Sequence, residues 1–391
     1  MVGKEIGISI YPDFYRQEDC KRKLDYAKEL GYTRVFTSIQ LGDLGFENAG
    51  IGITDGFKFL FNYAVEIGMI CHVDTNDIML KYIGASPSNL KPLKDLNIPI
   101  LRLDGGFNDD EVVEMTNNPY GIIIEENASN YTILKKRLKK VKDFGNIKQY
   151  YACHNFFPRN DTGLSLEFAL NAAKMYKDEG CKVGVFIGSL YSQNDLNAVG
   201  QSVPTIEEHR YKPADIQAME LFATGMFDYI IFGDSNPRED ELVAVSKVIV
   251  PTIDRLNPQQ IEEMNADELE MLSKLYCIDL PVYFENIDKK TIDLLEEIVH
   301  INRFDLAQKV IRSTITRGMI LMDTYQTIYR SKYAITIDNI NSNRYGGELQ
   351  IMLADLPSAK YANVIGYVKP YAYDLCEMIK EYPVVFRLRA K

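Results

Sequence analysis

The sequence has no tryptophan, no apolar run of membrane-spanning length, no long basic stretch and no C-x-x-C pair. Most of these gaps remove a class of protein. Without about 20 consecutive apolar residues no helix spans a bilayer. The formal net charge of -11 sets a repulsive average field against nucleic acid and acidic membrane surfaces. The short basic stretch Lys135, Lys136, Arg137, Lys139, Lys140 lies in a helical pattern and reads as a solvated face. A phosphorylated small molecule remains compatible, because one site needs only a few cations and backbone amides. The missing tryptophan, set beside 25 tyrosines, is compositional bias and implies no function.

Other absences concern chemistry. The cysteines are Cys20, Cys71, Cys153, Cys181, Cys277 and Cys376, and three of them (Cys71, Cys153, Cys181) sit in or beside apolar strand-like runs. That is the pattern of buried, reduced thiols. The chain passes from Met1 straight into a strand with no leader ahead of it, so the expected location is cytoplasmic. H-x-H and H-E-x-x-H are lacking; His72-x-Asp74 with His154 is the set a divalent metal could use, and no metal or other cofactor is expected. No G-x-S-x-G elbow supports a serine triad, and Cys153 beside His154 is no dyad by adjacency alone.

What is present suits two domains: 391 residues, 46% hydrophobic and 25% charged. Over the first two-thirds, apolar strand-like runs alternate with amphipathic helical stretches. Strands are read at residues 6–11, 34–39, 70–74, 98–104, 121–125, 148–154, 182–188 and 229–233. Helices are read at 19–30, 56–67, 130–142, 166–178 and 213–223. Eight units with nearly continuous apolar strands predict parallel strands buried on both faces, closing as a (β/α)8 barrel of the triosephosphate isomerase type. The competing open sheet lacks its Gly-rich fingerprint; Pro12-Asp13-Phe14 follows the first strand instead. The barrel is taken as residues 1–250. Residues 251–391 read as a transition of acidic helical pieces around Pro251, Pro258 and Pro281, then a smaller β-rich domain with strands at 334–337, 348–353, 363–368 and 384–388.

Barrel chemistry collects where strands end and loops begin. Those tips carry Asp74, Asp104, Glu125-Glu126-Asn127, His154-Asn155 with Arg159, Glu207 with His209-Arg210, and Asp234. Carboxylates facing one mouth suit glycosidic cleavage, where one acid protonates the leaving oxygen and another carboxylate supports the attack or the cation. Asp104 and Asp74, from adjacent strands, are the expected catalytic pair, with Glu207 next. His154, Asn155, Arg159, Asn127, His209, Arg210 and Asp234 are the expected substrate-binding groups, arginine for phosphate and amides for sugar groups. Gly105-Gly106 lets backbone approach a ligand. An isolated Asp at a strand tip caps the next helix about as often as it works in a site. His72 inside a strand reads as structural, and His300 falls in a helical stretch.

The strings Ile8-Ser9-Ile10-Tyr11-Pro12, Leu101-Arg102-Leu103-Asp104-Gly105-Gly106-Phe107, His154-Asn155-Phe156-Phe157-Pro158-Arg159 and Pro204-Thr205-Ile206-Glu207-Glu208-His209-Arg210 together resemble the MupG-like bacterial family. Asn302-Arg303-Phe304-Asp305 and Tyr345-Gly346-Gly347-Glu348-Leu349-Gln350-Ile351 extend the resemblance past the barrel. It implies a cyclophilin-like C-terminal domain and a 6-phospho-N-acetylmuramidase that splits N-acetylmuramic acid 6-phosphate from N-acetylglucosamine in cell-wall recycling. The partner is then a small phosphosugar, with no nucleic acid and no membrane; a homo-oligomer is compatible. Alternatives are another phosphosugar barrel enzyme (isomerase or aldolase), against which no lysine stands at a strand tip, and a non-catalytic phosphosugar sensor.

Overall fold

The structure is a computed structural model that describes residues 3–40, 53–191 and 202–390. Eight parallel strands close into a barrel in sequence order: β1 Glu5–Ser9, β2 Arg34–Ser38, β3 Ile70–Asn76, β4 Ile100–Gly105, β5 Ile123–Asn127, β6 Tyr150–Cys153, β7 Val183–Ile187 and β8 Tyr229–Phe232. β1 pairs in parallel with both β2 and β8, which completes the closure. The apolar runs read in the sequence are buried on both sides: β2, β7 and β8 have no exposed residue. Inside, Tyr11, Phe36, Cys153, Phe186, Tyr229 and Ile231 form one cluster, so the barrel is a packed core rather than a channel.

Helices Gln17–Glu29, Asp55–Glu66, Tyr131–Phe144, Leu166–Lys177 and Ala214–Ala223 fall where periodicity placed them. Asp109–Thr116 was not read as a helix, although Asn108 and Glu111 form the capping box that opens it. The basic stretch is not wholly solvated. Arg137 holds Asp109 at 2.9 Å and Glu126 at 2.9 Å, tying two helices to β5.

The chain divides into two compact units, one of Val2–Ala218 with Gly225–Ile249, the other of Met219–Thr224 with Val250–Lys391. The second unit carries a mixed seven-stranded sheet: β9 Tyr276–Phe284, β10 His300–Ile301, β11 Val310–Ser313, β12 Ala334–Asp338, β13 Leu349–Met352, β14 Ala362–Val368 and β15 Val384–Ala390. The spatial order is β10-β15-β9-β14-β12-β13-β11, with β15 and β9 parallel. Two readings are corrected here. The stretch around Pro281 is not all helical and transitional: it contains β9, and Pro281 stands next to Val282, where pairing with β14 begins. His300 is in a strand, its ring stacked on Phe386 at 5.2 Å.

Candidate active site

Strand geometry assembles the site. Alternate residues of a strand share a face, so Asp74 follows His72 inward on β3, and Asp104 follows Arg102 on β4. Register then sets neighbours side by side: Ser38 pairs with Asp74, and Asp74 with Arg102. Accordingly Arg102 Nη1 donates to Asp74 Oδ1 at 2.6 Å and Ser38 Oγ donates to Asp74 Oδ2 at 3.0 Å. One repeat nearer the mouth, Gln40 Nε2 donates to both carboxylates, 2.8 Å to Asp74 Oδ2 and 3.1 Å to Asp104 Oδ2. The Arg102 guanidinium lies 3.8 Å from Asp104 and also donates to Asn155 Oδ1 at 2.9 Å. The two expected carboxylates therefore share one amide and one cation.

They differ in access. The Asp74 side chain is 8% exposed and Asp104 38%. Burial pushes the Asp74 carboxyl up to about 6; Asp104 adds to this, while Arg102 and Ser38 oppose it. Asp104 owes its position to an irregularity. Thr75 pairs with Leu103 and Asn76 with Gly105, so Asp104 is the extra, unpaired residue of a bulge. Bulges re-aim side chains in this manner beside sites. Capping in this stretch falls to Asn76, whose Oδ1 accepts from Met79 N. Gly106 is glycine for a local reason: at φ +85 a Cβ there would come within 2.0 Å of Asp77 Oδ1. The close approach is to Asp77, while Gly105 has nothing within 4 Å of that position.

Beneath the pair lies a buried polar chain that excludes water. Arg34 Nη1 donates to His72 Nε2 at 2.7 Å, which leaves Nδ1–H to donate to Glu125 Oε2 at 2.9 Å. Tyr229 also donates to that oxygen. Burial, outweighing Glu125, keeps the His72 pKa below its ordinary value. The ring is neutral and its tautomer set by both neighbours.

The remaining expected residues are engaged elsewhere. Glu207 accepts from Arg210 at 2.7 Å, Asp161 N at 3.0 Å and Gly163 N at 2.7 Å, and the Arg210 bond chiefly holds it at about 2. Arg210 spends further donors on the carbonyls of Phe157, Ser202 and Arg159. That pair ties loops together. His209 is buried in the short turn Glu207–His209, and the Arg159 side chain is exposed. Asn127 accepts from Ser129 N, and Asp234 from Ser189 N and Val203 N. His154 alternates outward from Cys153; it is fully buried 6.1 Å from Phe227, and burial lowers its pKa to about 4. Of the expected binding groups Asn155 alone hydrogen-bonds into the carboxylate cluster among the described residues. Gln40, Arg102 and Ser38 were not singled out from the sequence, although Arg102, two residues before Asp104, had to share its face.

Among the described residues no group of three or more His, Cys, Asp or Glu is placed to hold a metal. No helix is long and apolar enough to cross a membrane. A separate cavity of about 340 Å³ is lined by Ser9, Arg22, Lys23, Ser235 and Asn236 among others, without either carboxylate.

A closed barrel with paired carboxylates at its strand tips places the chain among the (β/α)8 enzymes. Family profiles described as 6-phospho-N-acetylmuramidase match residues 6–247 (N-terminal part) and 278–388 (C-terminal part), so the chain belongs to that family and is a glycosidase. No curated protein matches it. Among solved structures, an uncharacterized B. cereus protein is 24% identical, covers 99% of both chains and has a TM-score of 0.80. A conserved Enterococcus faecalis protein with an unknown function is 23% identical, covering 99% of this chain and 96% of the other, TM-score 0.69. At these identities the likeness shows the fold alone.

Proposed function

We propose that this glycosidase hydrolyses the bond between N-acetylmuramic acid 6-phosphate and N-acetylglucosamine, a step of cell-wall recycling, and that Asp104 and Asp74 are its working carboxylates. The observation that carries the site is the single Gln40 amide held by both carboxylates. The family supports the substrate class, and six buried free cysteines fit a reducing, cytoplasmic setting.

Asp104 faces the mouth and is the group to meet the glycosidic oxygen, giving it a proton as the bond to the leaving sugar breaks. Asp74, with donors on both oxygens, acts from behind: it balances Arg102 and supports positive charge at the anomeric carbon. The shared amide keeps their oxygens closer together than the ~6.5–9.5 Å carboxyl separation that admits an attacking water in inverting enzymes. With Asp74 fully bonded, the acetamido oxygen of the substrate is the available internal nucleophile: it bonds to the anomeric carbon as the leaving oxygen takes the Asp104 proton, and a water that gives its proton back to Asp104 then displaces it, so the product anomer is retained. Glu207 and Arg210 position the loop over residues 157–163 and do not share in bond cleavage.

The test is to incubate the protein with phosphorylated and plain muramyl disaccharides without added metal, identifying products by mass and the first-formed anomer by NMR. Cleavage of the phosphorylated disaccharide in preference to the plain one is expected. Asp104→Asn should lower kcat by roughly 10²–10⁴-fold with the fold intact; turnover like the parent protein's would remove Asp104 from the reaction.

A further inference from the structure

The second unit contains a polar sheet face that its own packing does not explain. β11, β13 and β12 are neighbours, with Ile311, Ile351 and Ile335 in one row and Arg312, Gln350 and Thr336 in the next. Alternation therefore divides these strands into an apolar side and a polar side. The polar side continues to Asp338 and to Glu348, whose carbonyl accepts from Asp338 N at 3.0 Å. Thr336, Asp338 and Glu348 are all buried. A sheet that needed only to fold would place apolar residues there, since each unpaired buried polar group costs about 1–3 kcal/mol.

Glu348 is satisfied. Arg312 Nε donates to its Oε1 at 2.7 Å, Arg317 Nε to its Oε2 at 2.9 Å, and Gln350 Nε2 to Oε1 at 3.1 Å. Asp338 is not: it is 4% exposed, and its Oδ1 has no hydrogen-bond partner among the described residues, as is also true of Thr336 Oγ1. Over this face lies a cavity of about 390 Å³, lined among others by Arg312, Asp338, Asn341, Tyr345, Glu348 and Tyr361. Its lining holds Arg312 with the carboxylates of Asp338 and Glu348, and two further arginines stand behind the Tyr345 wall. Arg317 and Arg344 stand 4.8 and 4.9 Å from the Tyr345 ring, and Glu348 uses only Nε and Nη2 of Arg312 and Arg317.

We infer that this cavity is a ligand site in its own right, made wholly within the second unit, and that it takes a sugar bearing an anionic group. A ring hydroxyl donates to the Asp338 carboxylate, the anion meets the unused Nη1 end of Arg312, and the half-exposed Tyr361 ring supplies an apolar wall for the sugar face. Burial, with Glu348 adding, pushes the Asp338 carboxyl up to about 7, which suits a group able to accept or donate. The inference is independent of the barrel's substrate.

Titration calorimetry on the full chain tests it, with N-acetylglucosamine 6-phosphate (phosphate arm), N-acetylmuramic acid (carboxylate arm) and neutral N-acetylglucosamine as probes. At least one anionic sugar should bind tenfold more tightly than the neutral one, and the preferred arm identifies the anion. Asp338→Leu and Tyr361→Ala should each weaken that binding at least tenfold, while Asp104→Asn leaves it unchanged. Tyr361 is 47% exposed, so its variant keeps the fold and decides the matter should Asp338→Leu not fold. Unchanged affinity in folded Tyr361→Ala, no preference for the anionic sugars, or loss in Asp104→Asn alone would each overturn the site. Disaccharide turnover is measured separately, so a failure here leaves the barrel assignment standing, and the reverse.

Discussion

Asp74 and Asp104 carry the same functional group and differ by one layer of the barrel, and that layer decides what each can do. Asp74 sits level with Arg102 and Ser38 and is saturated; Asp104 is one repeat higher and open. The layer below is buried more deeply still. His72 joins Arg34 to Glu125 inside a core with no water-facing side. Replacing it by alanine leaves Arg34 paired with Glu5 at 2.8 Å and Glu125 bonded by Tyr229, each short of one buried hydrogen bond, at about 1–3 kcal/mol apiece. His72→Ala should therefore lower the denaturation midpoint by that measure, to be read by urea unfolding; a variant as stable as the parent would show that the chain of bonds contributes nothing. Strand parity made part of this legible. Once Asp74 and Asp104 are set inward, His72 and Arg102 follow, and His154 beside inward Cys153 has to turn out. The mutual pairing of Glu207 and Arg210 was not legible in the same way. Three residues apart in one turn, they pair with each other, and a list of strand-tip residues carries no information about which charges consume one another.

Elements depend on small irregularities that residue-by-residue reading does not register. The eight strands and five main helices of the barrel were legible because their apolar periodicity is long. The bulge that frees Asp104 was not, because it is a mismatch between two strands and exists only once they pair. Gly106 secures it, having a positive φ and no room for a Cβ against Asp77. Gly106→Ala should cost about 1–2 kcal/mol from the left-handed conformation alone and shift the strand end that carries Asp104, lowering both stability and kcat. Gly105→Ala, with open space around it, serves as the control and should leave both nearly unchanged. Equal behaviour of the two variants in thermal melts and turnover would remove the bulge from the account. In the second unit β9 escaped notice because Pro281 reads as a strand breaker. It is tolerated because β14 pairs only with Val282–Phe284, leaving Pro281 outside that ladder, with its carbonyl accepting from Lys369 N at 3.0 Å. His300–Ile301 is too short a strand to leave any period in the sequence.

Over the whole molecule, buried acids set how stability follows pH. Burial pushes Asp74 up to about 6, and Asp234 and Asp338 up to about 7, the first two in the barrel and the third in the other unit. The folded chain holds these protons more tightly than the unfolded chain, so stability falls as pH rises through the window from the ordinary carboxylate range to about 7. Each group contributes at most about 1.4 kcal/mol per pH unit within its window. Glu207 has the opposite sign. Arg210 and two backbone amides hold it at about 2, so its stabilisation is present above the ordinary carboxylate range and is lost as pH falls toward 2. Opposed slopes place the maximum between them. The melting midpoint should be highest near about pH 4, where the two windows meet, lower at pH 3 as Glu207 begins to take up its proton, and lowest at pH 8, where three buried carboxyls have lost theirs. Asp234→Asn keeps an acceptor for Ser189 N and Val203 N but cannot titrate, so the decline between pH 5 and pH 8 should become shallower in that variant. A parent protein whose midpoint climbs steadily from pH 5 to pH 8 would mean that these carboxyls are solvated in solution, and the access difference between Asp74 and Asp104 would lose its basis along with them.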